Sequence, residues 1–198
     1  MNDTRILFIS EVSRILGINP YEKNYIKKFC NRENLELPTK VIHTDIDIKY
    51  KKLNYKNSRC VLKKTFSYGP KNGIKNEHCI LNHIKNEVNI VDYQKSYRKM
   101  LNTKIKFCLY GKIDGLLKFK DNQYGILEIK IRNKTAGIRQ QDYVQIQMYL
   151  FISNLDKSLI AEHCDENINI YYIHKDETFI NEILDNITEL INSCDHKR

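Results

Sequence analysis

The chain has 198 residues, 41% of them hydrophobic, which suits one domain with a full core and excludes a disordered chain. Its net charge of +9 favours a polyanionic partner, but Lys, Asn and Ile dominate while Gly, Pro and Trp are scarce, a bias of AT-rich codons that inflates lysine without any functional demand. No apolar run approaches the ~18 residues of a membrane span, and the N-terminus lacks the basic region and cleavage site of a signal peptide, so the chain reads as soluble and intracellular, with no membrane partner.

Ser10 stands where an N-cap would begin a short helix over 10–16, which Gly17 ends. Asn19-Pro20 restarts a helix that runs to about Asn31. Over 39–72, Val41, Ile46, Ile48, Tyr50 and Leu53 suggest short strands, and Tyr68-Gly69-Pro70 with Asn72-Gly73 supplies turns. Between Lys49 and Lys64 there are seven basic residues and no acidic one, with Tyr50 and Tyr55 interleaved. Lys51, Lys52 and Lys56 are therefore candidates to meet a nucleic-acid backbone, with a solvated loop as the plainer alternative. Asn76 to about Lys85 reads as a helix with Ile80, Leu81 and Ile84 on one face.

Residues 105–119 and 123–132 read as two strands joined near Asp121-Asn122, 140–154 as a helix, and 168–174 as a buried strand. An amphipathic helix follows from Glu177 to Ser193. No linker divides the chain, so 1–198 is expected to be one domain, an α/β sandwich on a mixed sheet. The six cysteines are scattered without a CxxC pair, which fits buried or incidental free thiols rather than a thiolate metal site.

The second strand of the pair carries the chemistry. Leu127, Ile129 and Ile131 alternate with Glu128, Lys130 and Arg132, so the apolar set belongs in the core and Glu128 stands beside Lys130 on the other face. Asp114 sits mid-strand, where aspartate is poorly suited. Two carboxylates on neighbouring strands make a hard-oxygen site for Mg²⁺, and a lysine beside them can orient or deprotonate a water. A solvated Glu-x-Lys ion pair is the bland alternative. The hairpin register decides whether the carboxylates share a face. A two-residue turn at Asp121-Asn122 separates them. A three-residue loop at Lys120–Asn122 sets Asp114 opposite Glu128, and one at Asp121–Gln123 sets it opposite Lys130. A bulge at Gly111, Gly115 or Gly125 is a further route.

Gly111-Lys-Ile-Asp114-Gly115 followed by Leu127-Glu128-Ile129-Lys130 resembles the PD-(D/E)XK nuclease signature. Gln145-Ile-Gln-Met-Tyr149 resembles the QxxxY motif of its exonuclease branch, with Gln145 and Tyr149 on one helix face. The segment from Ser10 to Tyr21 is similar to the opening helix of phage lambda exonuclease and YqaJ-type viral recombinases, and the segment around Glu77 to that family's acidic helix. These blocks span about residues 5–154; residues 39–72 stand apart from the pattern, as a family-specific insertion would.

The resemblance implies a restriction-endonuclease-like core, a central mixed β-sheet flanked by helices. It implies that Asp114, Glu128 and the Ile129 backbone carbonyl bind Mg²⁺, with Mn²⁺ able to substitute, and that Glu77 joins them. Lys130 serves the nucleophilic water, while Gln145 and Tyr149 position the scissile strand or the lysine. Ser10, with Arg5 or Arg14, holds a DNA phosphate. The implied activity is 5′→3′ exonuclease resection of duplex DNA in recombination or genome processing. The implied settings are a host cytoplasm or nucleus if viral, a single-strand annealing or recombination protein as partner, and a ring-like homo-oligomer. A single-strand or flap nuclease, and a catalytically silent DNA- or protein-binding module, are the alternatives.

Overall fold

A computed structural model describes residues 4–18, 24–38, 46–55, 59–60, 62, 70–85, 88–132 and 135–194, with only the backbone of 70–75. Among them lie β1 (Arg5–Phe8), α1 (Ile9–Ile15), α2 (Tyr25–Arg32), β2 (Lys51–Leu53), α3 (Pro70–Ile84), β3 (Ile90–Tyr93) and β4 (Ser96–Met100). Then follow β5 (Phe107–Lys112), β6 (Gly115–Lys118), β7 (Tyr124–Arg132), α4 (Gln140–Ser153), β8 (Lys157–Cys164), β9 (Asn167–His174) and α5 (Glu177–Asn192). Asn19-Pro20, Val41, Lys56 and the expected turn at Tyr68-Gly69 lie outside the described residues. Among the described residues no helix is long and apolar enough to cross a membrane.

The fold is α/β, as expected, on a mixed six-stranded sheet of order β2-β9-β8-β7-β6-β3, beside a three-stranded sheet of order β1-β5-β4. The β7–β8 and β1–β5 pairs are parallel and the others antiparallel. Helices cover both faces of the large sheet. Ile126, Ile160, Tyr171 and Ile173 join the core with α4 and α5, while Leu127, Ile129, Leu159 and Ile170 pack with Ile80, Leu81 and Ile84 of α3. The expectation of one apolar face on β7 is thus incomplete: its Glu128 face is also covered, and Ile131 is 38% exposed.

The single strand expected over 105–119 is two strands in different sheets. Two antiparallel ribbons bend together here, because β3 and β4 pair with β6 and β5 respectively. At the bend Ile113 N–H donates to the Lys95 carbonyl, and Gln94 N–H to that of Asp114. Gln94 takes a left-handed φ of 56°. Such corners carry strands from one sheet to another. Two helix starts also differ from expectation. The α1 N-cap is Phe8, whose N–H is met by Glu11 Oε2 at 3.2 Å, so Ser10 lies inside the first turn. The α3 helix begins at Pro70, where the fixed φ of proline suits a first turn, and Asn72-Gly73 is helical.

Candidate active site

The β6–β7 ladder pairs Gly115 with Leu127 and Lys118 with Tyr124, without a bulge. Phe119 N–H donates to the Gln123 carbonyl at 2.8 Å and closes the hairpin, so the loop is Lys120-Asp121-Asn122. Asn122 has φ 63°, the left-handed closing position of a three-residue hairpin loop. Continuing the ladder one step sets Asp114 opposite Glu128, the arrangement that an odd connection was expected to give. The glycines host no bulge. The missing Cβ of Gly111 instead gives room to Tyr149, whose ring would otherwise meet it, with Ile9 Cγ1 2.8 Å away.

Asp114 sits at the corner between β5 and β6, where its Oδ2 accepts the Ile129 N–H at 2.7 Å. An extended residue points its N–H and C=O to the same side. The Ile129 carbonyl therefore also faces the edge that β6 has vacated. Glu128 is only 5% exposed. Its Oε1 accepts from Lys130 Nζ and Gln145 Nε2, each at 2.9 Å, while Oε2 is buried with no hydrogen-bond partner among the described residues. Burial pushes the Glu128 carboxyl up to about 7, opposed by Lys130 and reinforced by Asp114. Burial likewise pushes Asp114 up to about 6, opposed by the Ile129 N–H and reinforced by Glu77. Glu77, on α3, is raised by burial and then by the Glu128 charge.

Lys130 donates to Glu128 and, at 2.8 Å, to Gln145 Oε1. Burial acts to lower its pKa, but Glu128 and Asp142 outweigh it and the ammonium is held above its ordinary value. Of its three N–H donors two are spent, and Asp142 Oδ1 stands 3.9 Å away. Gln145 also donates to the Tyr149 hydroxyl at 3.2 Å, which donates to the Lys112 carbonyl at 3.0 Å. One turn of α4 thus fixes Glu128 and Lys130 from one side and ties them to the end of β5 from the other.

A neighbouring network was not anticipated from sequence. Arg132 Nε donates to Glu162 Oε1 at 2.6 Å and its NH2 to Asp142. Tyr171 OH and Gly137 N–H also donate to Glu162. Asp142 therefore bridges Arg132 and Lys130. The sequence offers no clear signal for this network, since Glu162 stands in β8 with other polar residues, Lys157, Ser158 and His163.

The proposed DNA contacts are spread more widely. Ser10 is exposed on α1, and Arg14 one turn on shares its face, with its guanidinium 5.3 Å from the Tyr25 ring centroid. Arg5 pairs with Phe107, at the far end of β5 from Lys112; five strand residues put roughly 17 Å between them. The structure does not bring Arg5 to the site. Lys51 and Lys52 are exposed on the edge strand β2. Lys52 shares a cross-strand row with Tyr171, Ile160 and Glu128, three strand spacings or about 14 Å from Glu128.

No family model matches the chain and no curated protein matches its sequence. Solved structures do. An alkaline exonuclease from Laribacter hongkongensis superposes with a TM-score of 0.54 at 13% identity, over 93% of this chain and 84% of that one. The same enzyme in complex with dAMP gives a TM-score of 0.58 at 14% identity, over 93% and 85% of the two chains. The chain shares the fold of that exonuclease. A protein named SSO0001 shares it, with a TM-score of 0.56 at 15% identity over 94% of this chain and 77% of that one.

Proposed function

We propose that this nuclease-fold chain is a metal-dependent DNA exonuclease that resects duplex ends 5′→3′, with Mg²⁺ as its ion and Mn²⁺ as a substitute. The observation that carries the reading is Glu128 Oε2. It is a buried carboxylate oxygen without a hydrogen-bond partner among the described residues, beside Asp114 and an outward-facing Ile129 carbonyl. Orphaned buried acceptors of this kind are costly unless something meets them. Among the described residues no three His, Cys, Asp or Glu side chains lie close enough to hold an ion unaided. The fitting donor set is therefore Asp114, Glu128 and the main-chain oxygen, with Glu77 at longer range.

The ion, when bound, stabilises charge developing on the phosphate and makes a water more acidic. Every other part of the reading belongs to the chain. Lys130, held by Glu128 and Gln145, keeps its third N–H for the attacking water or a phosphate oxygen. As a retained ammonium it acts as orienter and charge, not as a resting base. Tyr149 and Gln145 hold that lysine in place, and exposed Ser10 with half-buried Arg14 offers a polar face for a DNA phosphate. A ring-like homo-oligomer and a recombination or annealing partner belong to the same proposal.

End-labelled duplex, single-stranded and circular DNA, each with Mg²⁺ or EDTA, tests it. Mg²⁺-dependent release of nucleotides from linear duplex is expected, circular DNA staying intact. Glu128→Gln or Asp114→Asn should lower cleavage by at least about a hundredfold while DNA binding holds. Full activity in either variant refutes the site. Activity on single strands or flaps alone moves the assignment to such a nuclease, and folded protein that binds without cleaving is a silent module.

A further inference from the structure

A cavity of about 640 Å³ opens on the β2–β9 edge of the large sheet, within the size range of small-molecule sites. It lies on the other side of α4 from Glu128. Gln145 and Tyr149 face the carboxylates, while Tyr143, which lines the cavity, projects from the opposite side of the helix, about 200° round from Gln145.

Its lining is aromatic and basic. Tyr50, 47% exposed, and Tyr172 contribute rings, with His174 edge-on to Tyr172 at 4.6 Å. The two acidic residues in the wall are already engaged, Asp176 by Lys49 at 2.7 Å and Glu177 by Lys175 at 2.6 Å. Lys51 has no carboxylate partner among the described residues. Tyr143, 0% exposed, lies in the floor, with the Gln147 side chain and the Lys49 backbone at its hydroxyl.

We infer that this cavity binds a nucleotide unit, its base stacked on Tyr50 or Tyr172 and its phosphate on Lys51. Aromatic faces interleaved with lysine are how proteins hold unpaired nucleotides without reading sequence. The choice of ligand rests on the nuclease reading; the cavity, its exposed aromatic ring and the uncommitted lysine do not. The unit comes either from a free mononucleotide or from a single strand.

Photocrosslinking in EDTA separates these. The full chain is irradiated with 5-iododeoxyuridine monophosphate, or with a short oligothymidylate carrying one 5-iododeoxyuridine, and its peptides are mapped by mass spectrometry. Cross-links at Tyr50 or Tyr172 are expected. Labelling by both probes identifies a mononucleotide site, and labelling by the oligonucleotide alone identifies a strand site. Tyr50→Ala and Lys51→Glu, both at exposed positions, should each weaken binding by about tenfold, Tyr50→Phe should retain it, and Glu128→Gln should leave the cross-links in place. No cross-link at either tyrosine, or affinity unchanged in both weakening variants, overturns the inference. Because the readout is binding, loss of cleavage with retained cross-links instead counts against the nuclease reading alone.

Discussion

Gly111 fixes how closely α4 can lie on β5. A Cβ there would strike the Tyr149 ring and Ile9, and Tyr149 must stay close for its hydroxyl to reach Lys112 and accept from Gln145. Gly111→Ala should destabilise by about 1–3 kcal/mol, the range for overpacking. It should also lower kcat more than it raises KM, because it shifts the helix that holds Lys130. Adding Tyr149→Leu should restore much of the melting temperature but not the rate. Equal recovery of both would show that Tyr149 only fills space. Asp114, Glu128 and Lys130 are legible from alternation along β7 and from an aspartate out of place in a strand. Arg132, Asp142 and Glu162 are not, since their contacts cross from β7 to α4 and β8 at a distance no local pattern encodes.

Elements are joined at the N-terminal end by Glu11. It accepts Arg32 through both oxygens, at 2.5 and 3.1 Å, and the Tyr25 hydroxyl, so α1 and α2 share one carboxylate. Burial acts to raise its pKa, but Arg32 and Tyr25 outweigh this and hold it below the ordinary 4.5. A depressed folded pKa gives stability that is present above the unfolded value and lost as pH falls through the folded one. Glu11→Gln should therefore lower the urea midpoint at pH 7, by about 1–3 kcal/mol of stability, and the gap to wild type should shrink below pH 4.5. A gap that persists at pH 3 would assign the loss to packing. Legibility differs among elements for physical reasons. The α5 stripe repeats at helical spacing and reads plainly. The β8 strand is buried on both faces beside a parallel neighbour, so it lacks alternation. The β5–β6 corner escapes notice because the turn is set by Gln94 and Lys95 on the other ribbon, far off in sequence.

At the scale of the whole molecule, stability without metal should depend on pH through the site. Glu128 and Asp114 stand at about 7 and about 6, above ordinary values of 4.5 and 3.8. Acids raised on folding bind protons more tightly in the folded state. Their contribution is full below pH 4 and is lost as pH rises through 6 and 7. The protein without metal should thus weaken between pH 4.5 and 8, by on the order of 3 kcal/mol, and Glu128→Gln should flatten that slope. Mg²⁺ binds the deprotonated forms. At about a hundred times its Kd it should add roughly 2.7 kcal/mol, or some 5–10 °C in Tm, at pH 8 and much less at pH 5.5. Calorimetry of Asp114→Asn checks this, since the increment should vanish there.

The hairpin and helix that carry the carboxylates and lysine have a consequence for the order of assembly. Gly111, Asp114, Glu128, Lys130, Asp142, Gln145 and Tyr149 belong to one uninterrupted stretch, and their contacts span short loops. The edges are different: β1 meets β5, and β2 meets β9, only after most of the chain between them has been closed. Closure entropy grows with loop length, so local pairings are cheap to form and distant ones slow. The transition state for folding should therefore contain β6, β7 and α4, with high φ-values there and low ones in β1 and β2. The N-terminal strands leave the ribosome first and dock last. The carboxylate pair is thus set in register before these edge strands arrive.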